Sequence, residues 1–234
     1  MSFFHRVRNP LLAGVLALGP CLAMAQSVSV MDFEGLADSE VVQGFYNGGT
    51  GSEGSSGANL GVEFLGNTVA YIATSAGGSG NVSEMPSPPT IITFLEPSSS
   101  AIANVAAGFT GGFSFYYSSA SSADVLVYDG LNGTGNVLAT VPITEQHGTG
   151  CTSELFCNWT AAGAAFSGTA RSVSFGGAAN QTAFDNITLG SATPGGAPPP
   201  TARTITAVPT LGEWGVMLLG MLAAATAAVR LRRG

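Results

Sequence analysis

Apolar and polar residues alternate in short runs along the middle of the chain. Phe113, Phe115 and Tyr117 alternate with Ser114 and Ser118. Val137, Ala139, Val141 and Ile143 share one parity, as do Leu60, Val62 and Phe64, and Val69, Tyr71 and Ala73. Val173 and Phe175 alternate with Ser172 and Ser174, and Ile187 and Leu189 close the series. A period of two is the pattern of half-buried antiparallel strands. Gly, Ser, Asn and Pro separate the runs, and no long helical period interrupts them. Many short strands divided by turn signals predict an all-β, antiparallel β-sandwich. The clearest piece is Val125 to Ile143: a strand, a loop from Asp129 to Gly135, and a second strand.

Two runs break this pattern, one near each end. Residues 1–25 read as a secretory signal peptide. His5, Arg6 and Arg8 form a basic start, Leu11 to Leu18 a short apolar core, and Ala23-Met24-Ala25 an A-x-A site, with Gln26 as the first mature residue. From Trp214 to Val229 no residue is charged, and Arg230, Arg232 and Arg233 follow. The run predicts a short transmembrane helix in the inner membrane. Its arginine tail stays cytoplasmic and the body is exported. Between body and helix, residues 191–207 are rich in Pro, Gly and small polar residues and read as an extended linker. The predicted layout is signal peptide 1–25, β-sandwich 26–190, linker 191–207 and sorting signal with helix 208–234.

Val208, Pro209, Thr210, Leu211, Trp214 and Gly215, followed by an apolar helix and the arginine cluster, closely resemble the IPTL-CTERM sorting signal of Gram-negative bacteria. Val208 stands where that signal has isoleucine. The resemblance implies recognition by an exosortase-like membrane transpeptidase that cuts near the motif and passes the protein to the cell surface or extracellular matrix. The body resembles a recurring secreted domain found ahead of such signals. That resemblance rests on DFEGL (32–36), FYNGG (45–49), GFTGGFSFYYSS (108–119), VYDGLNGTGNVLAT (127–140) and FDNITLG (184–190). It implies a jelly-roll, lectin-like sandwich and no particular activity.

Charge narrows the choice of partners. The chain has no lysine and a formal net charge of −7. Between the two end signals lie Arg171 and Arg203 against thirteen acids, a net charge of 2 − 13 = −11. Such a surface cannot neutralise phosphates, so nucleic acid is excluded as a partner. Cys151 and Cys157, with five residues between them in an exported chain, predict a disulfide. Two cysteines and one distant histidine do not make a structural zinc set.

Catalytic chemistry finds little support. His147 is the one histidine after the signal peptide, in a glycine-rich loop, and no G-x-S-x-G elbow occurs. Asp32 with Glu34 and Asp38 with Glu40 are paired carboxylates without a flanking signature. The runs GGTGSEGSSG (48–57) and GGSG (77–80) lack the helix and Lys-Ser/Thr of a phosphate cradle. The five Asn-x-Ser/Thr sequons arise readily in this composition. The expectation is therefore an exported, surface-sorted structural or adhesive protein, not an enzyme. The alternative is a carbohydrate-binding module for polysaccharide, with Tyr46, Tyr116, Tyr117 and Trp159 as candidate contacts. A calcium ion is a candidate ligand of Asp32, Glu34, Asp185 and Asn186, on the expectation that first and last strands pair. The competing reading makes Asp185-Asn186 a polar interruption at a bulge.

Overall fold

The computed structural model describes residues 27–96 and 100–196. The chain divides into two units, Met1–Pro199 and Pro200–Gly234, and all described residues lie in the first. The predicted signal peptide, the 208–234 segment and most of the linker fall outside the described residues.

The described body is an antiparallel β-sandwich of nine strands: β1 (Ser29–Met31), β2 (Val62–Leu65), β3 (Thr68–Ile72), β4 (Thr90–Phe94), β5 (Ala101–Ser119), β6 (Ala123–Tyr128), β7 (Val137–Ile143), β8 (Thr160–Phe175) and β9 (Thr182–Leu189). One 3-10 turn, Thr74–Ala76, is its only helical element among the described residues. The long strands β5 and β8 serve both layers. In one layer the order is β2, the first half of β5, the second half of β8, β6 and β7. In the other, the first half of β8 pairs with the second half of β5, which pairs with β9. The far edge of β9 carries β4 and, further along, β1, and β3 pairs with β4.

Strands that change layers need a corner. The β5–β8 register shifts twice, between Asn104 and Phe109 and between Phe109 and Gly111. Gly108 and Gly168 hold φ of 78° and 93° there, a conformation that costs glycine little and other residues more. At Gly108 a Cβ would also lie 2.4 Å from the Thr169 methyl.

The core between the layers is aromatic. Phe175 of the first layer meets Phe113, Phe115 and Phe184 of the second at centroid distances of 5.8, 6.2 and 5.0 Å. All four rings are fully buried. Edge-on ring packing of this kind adds to the area that each ring removes from water.

The second layer is covered on its outer face as well. Ala73, Val82, Met85, Ile91, Phe156 and Ala183 form a smaller apolar cluster there. Ile91 therefore belongs to this cluster while Ile92 and Phe94 belong to the main core. β4 is buried on both sides, so its sequence TIITF does not alternate. Ser191–Gly196, which reads as linker in the sequence, runs against the same layer. Ser114 Oγ donates to Ser191 O at 3.0 Å and Gly195 N donates to Thr188 Oγ1 at 3.0 Å. The close approach needs bare backbone beneath it: a Cβ on Gly163 would meet Ala192 O at 2.4 Å.

Candidate functional site

Three of the motif segments converge where β1, β4 and β9 meet. β1 pairs with β9, Ser29 opposite Leu189 and Met31 opposite Ile187. The chain leaving β1 turns at Phe33, which has φ of 64°, an unusual value for an aromatic residue. Burial holds it there: Phe33 is fully buried and packs edge-on against Tyr46 and Phe64 at 5.7 and 5.8 Å. Phe33 N donates to the Tyr46 hydroxyl at 2.7 Å, and that hydroxyl donates to Asp32 Oδ1 at 3.3 Å. Burial is the main reason the Tyr46 phenol is raised above its ordinary range, with the Asp32 and Glu34 charges adding to the rise. Glu34 reaches the other way and accepts from Thr90 N at 3.0 Å and Thr90 Oγ1 at 3.3 Å.

Asp185 arrives from β9 at a bulge. Ser114 faces Thr188 and Tyr116 faces Asp185, so three steps on β9 oppose two on β5. Asn186 takes φ of 48° to absorb the extra residue. Asp185 is fully buried. Its carboxyl accepts from Ser87 N at 2.7 Å and Asn186 N at 2.6 Å. Burial pushes the Asp185 carboxyl up to about 7. The two N–H bonds pull it down, and the charges of Glu34 and Asp32 raise it further. Burial also raises Glu34, against its Thr90 donors.

The structure thus brings Asp32, Glu34 and Asp185 within electrostatic reach of one another, with Asn186 beside them. Their oxygens are turned to backbone and hydroxyl donors. Among the described residues no three His, Cys, Asp or Glu side chains stand in an arrangement that could hold a metal ion. The bulge accounts for Asp185-Asn186 in structural terms.

The other acidic pair also orders loops. Asp38 accepts from Ile72 N at 2.9 Å, Ser79 N at 3.1 Å and Ser79 Oγ at 2.7 Å. Glu40, fully buried, accepts from Ala37 N, Glu53 N and Ser55 N at 2.7, 3.0 and 3.2 Å. Burial alone would raise both carboxyls, but these donors outweigh it and hold each below the ordinary range. Neither side chain is placed as a general acid facing a partner across a cleft.

A second feature lies on the outer face of the β3–β4–β9 layer. A cleft of about 370 Å³ opens between the strands and three loops, its lining including Tyr71, Asn81, Ile91, Thr93, Phe156 and Asn180. The Cys151–Cys157 disulfide, with Cα atoms 5.5 Å apart, clips the loop that supplies Phe156. That loop is stitched to residues 81–83: Phe156 N donates to Asn81 O, Ser83 N to Phe156 O, and Trp159 Nε1 to Ser83 O. The His147 ring rests on Phe156 at 5.0 Å. This cleft had no clear sequence signal, because its lining comes from five separate segments. The four aromatics expected as sugar contacts do not gather into one groove. Tyr46 and Tyr117 are buried in the main core, Tyr116 is half-buried, and Trp159 packs beside the smaller cluster.

Comparison with known proteins bears on the other end of the chain. The IPTL-CTERM motif family matches residues 206–233. The chain bears an IPTL-CTERM sorting signal. Pro209, Thr210, Leu211, Trp214, Gly215 and the arginines Arg230, Arg232 and Arg233 all fall within the matched span. The motif implies an exported, surface-sorted protein. No curated protein matches the chain. Among solved structures, the K2 cleaved adhesin domain of Lys-gingipain is similar over 70% of this chain and 99% of that one, at 8% identity and a TM-score of 0.41.

Proposed function

We propose that this IPTL-CTERM protein is exported and processed at its C-terminal signal by an exosortase-like transpeptidase, and that its β-sandwich then serves at the cell surface or in the extracellular matrix as a structural or adhesive domain rather than an enzyme. The observation that carries this reading is the motif match over residues 206–233. Each part of the matched segment has a physical role in it. The apolar run parks the chain in the inner membrane, and the arginines hold its tail on the cytoplasmic side. Pro209 keeps the preceding residues extended and open to a transpeptidase. Trp214 suits the membrane interface. The body fits a passive role, since its buried carboxylates are spent on backbone donors.

Mass spectrometry of the protein recovered from the surface of its own cells tests the proposal. The expected mature chain starts at Gln26 and has lost everything beyond the 208–215 segment. Deleting Pro209 to Trp214 is expected to leave the chain in the membrane fraction. Surface material that retains Arg230 to Arg233 overturns the reading.

A further inference from the structure

We propose that the cleft on the outer face of the β3–β4–β9 layer is a binding site for a neutral saccharide, a reading that rests on a surface location but not on the manner of sorting. The cleft, about 370 Å³, falls in the size range of small-ligand sites, roughly 300–1,000 Å³. No charged residue among those described lines it, in a body where thirteen acids are otherwise widely spread. An ionic ligand would find no counter-charge there, and a purely apolar one would strip water from the polar rim without return.

The rim offers both donors and acceptors. The side-chain amides of Asn81 and Asn180 come from different loops, are exposed, and have no hydrogen-bond partner among the described residues. An amide can donate and accept at once, which matches a sugar hydroxyl. Asn180 is held at φ of 58°, with its backbone N–H fixed to Phe94 O at 2.8 Å, so the loop that carries it is set in advance. At the floor lies Thr93, a buried residue whose hydroxyl has no partner among the described residues. The walls supply the apolar half of the match. Tyr71 and Phe156 both line the cleft, and aromatic faces attract the weakly positive C–H groups of a pyranose ring. The disulfide holds the loop that carries Phe156, so this wall is preorganised.

The test is calorimetric titration of the full-length chain in detergent with cellotriose, maltotriose, mannotriose and chitotriose. Trigalacturonate and trialanine serve as the charged and the peptide rivals. At least one neutral trisaccharide is expected to bind with a millimolar or tighter Kd, and trigalacturonate at least tenfold more weakly. Asn81→Ala and Asn180→Gly, the second chosen because glycine accepts the same backbone angle, are each expected to weaken binding about tenfold with the melting midpoint unchanged. Cys151→Ser/Cys157→Ser is expected to weaken binding as well. Absence of binding by all four neutral sugars, tighter binding of trialanine, or affinity unmoved by both asparagine changes overturns the proposal. None of these outcomes bears on processing of the C-terminal signal, which is read by mass in cells.

Discussion

A single buried carboxylate sets the path of the chain from Ala37 to Ser55. Glu40 has no exposed surface and no cationic partner among the described residues; its two oxygens accept three backbone N–H groups instead. Gly51 sits directly against it, since a Cβ there would stand 2.3 Å from Glu40 Oε1. Glu40→Ala strands those donors, and at about 1–3 kcal/mol for an unmet buried group the expected loss is on the order of 3 kcal/mol. Gly51→Ala is expected to cost a comparable amount by pushing the carboxylate off its donors. The two changes act on one network, so the double variant should lose clearly less than the sum. Urea unfolding of the four proteins measures this, and strict additivity would show that Gly51 and Glu40 act separately. The sequence offered Asp38 and Glu40 as a carboxylate pair but did not tell catalytic from structural use. That distinction depends on where the N–H groups of residues 53, 55, 72 and 79 arrive, which is a matter of tertiary contact.

At the scale of elements, alternation identified the strands whose large apolar residues share one face. β2, β6, β7 and the second halves of β5 and β8 follow the parity read from Val62, Val125, Val141, Phe113 and Phe175. β4 escaped the pattern because both its faces are covered, and the start of β8 because Ala and Gly give no contrast between faces. The bulge at Asp185-Asn186 was legible as an interruption, and so was the disulfide from cysteine spacing. What the disulfide does was not legible, because Phe156 and its bridge to Val82 bring together segments more than seventy residues apart. Loop-closure entropy gives a ring of this size about 2 kcal/mol. Cys151→Ser/Cys157→Ser should therefore lower stability by about that amount. Hydrogen exchange should accelerate at Phe156 and Ser83, whose N–H groups join the two loops, while the N–H of Phe115 in the core strand stays protected. Unchanged exchange at Phe156 would mean that packing alone holds the loop.

The whole molecule carries its acidity in two opposed ways, and pH separates them. Thirteen acids and one arginine lie among the described residues. Asp38 and Glu40 are held below the ordinary carboxylate range, so the stability they contribute is present above the unfolded value and is lost as pH falls through the folded one. Asp185 runs the other way. Its carboxyl is raised from 3.8 to about 7 by burial, so the folded state prefers it protonated. That contribution is full below about pH 4 and disappears as pH rises through 7. At about 1.36 kcal/mol per pK unit, the loss between pH 5 and pH 8 comes to roughly 3 kcal/mol. Asp38 and Glu40 are largely ionised across that interval in both states, and what little they add runs the opposite way, so they do not produce the fall. The wild-type midpoint should therefore fall on going from pH 5 to pH 8, whereas Asp185→Asn, which cannot ionise, should lose most of that slope whatever its absolute stability. Glu34 is raised too, so Glu34→Gln, which removes its charge from beside Asp185, should shift the wild-type inflection to lower pH without abolishing it. Thermal melts at half-unit steps decide the matter. An Asp185→Asn variant with the same slope as the wild type would place the titrating group elsewhere in the molecule.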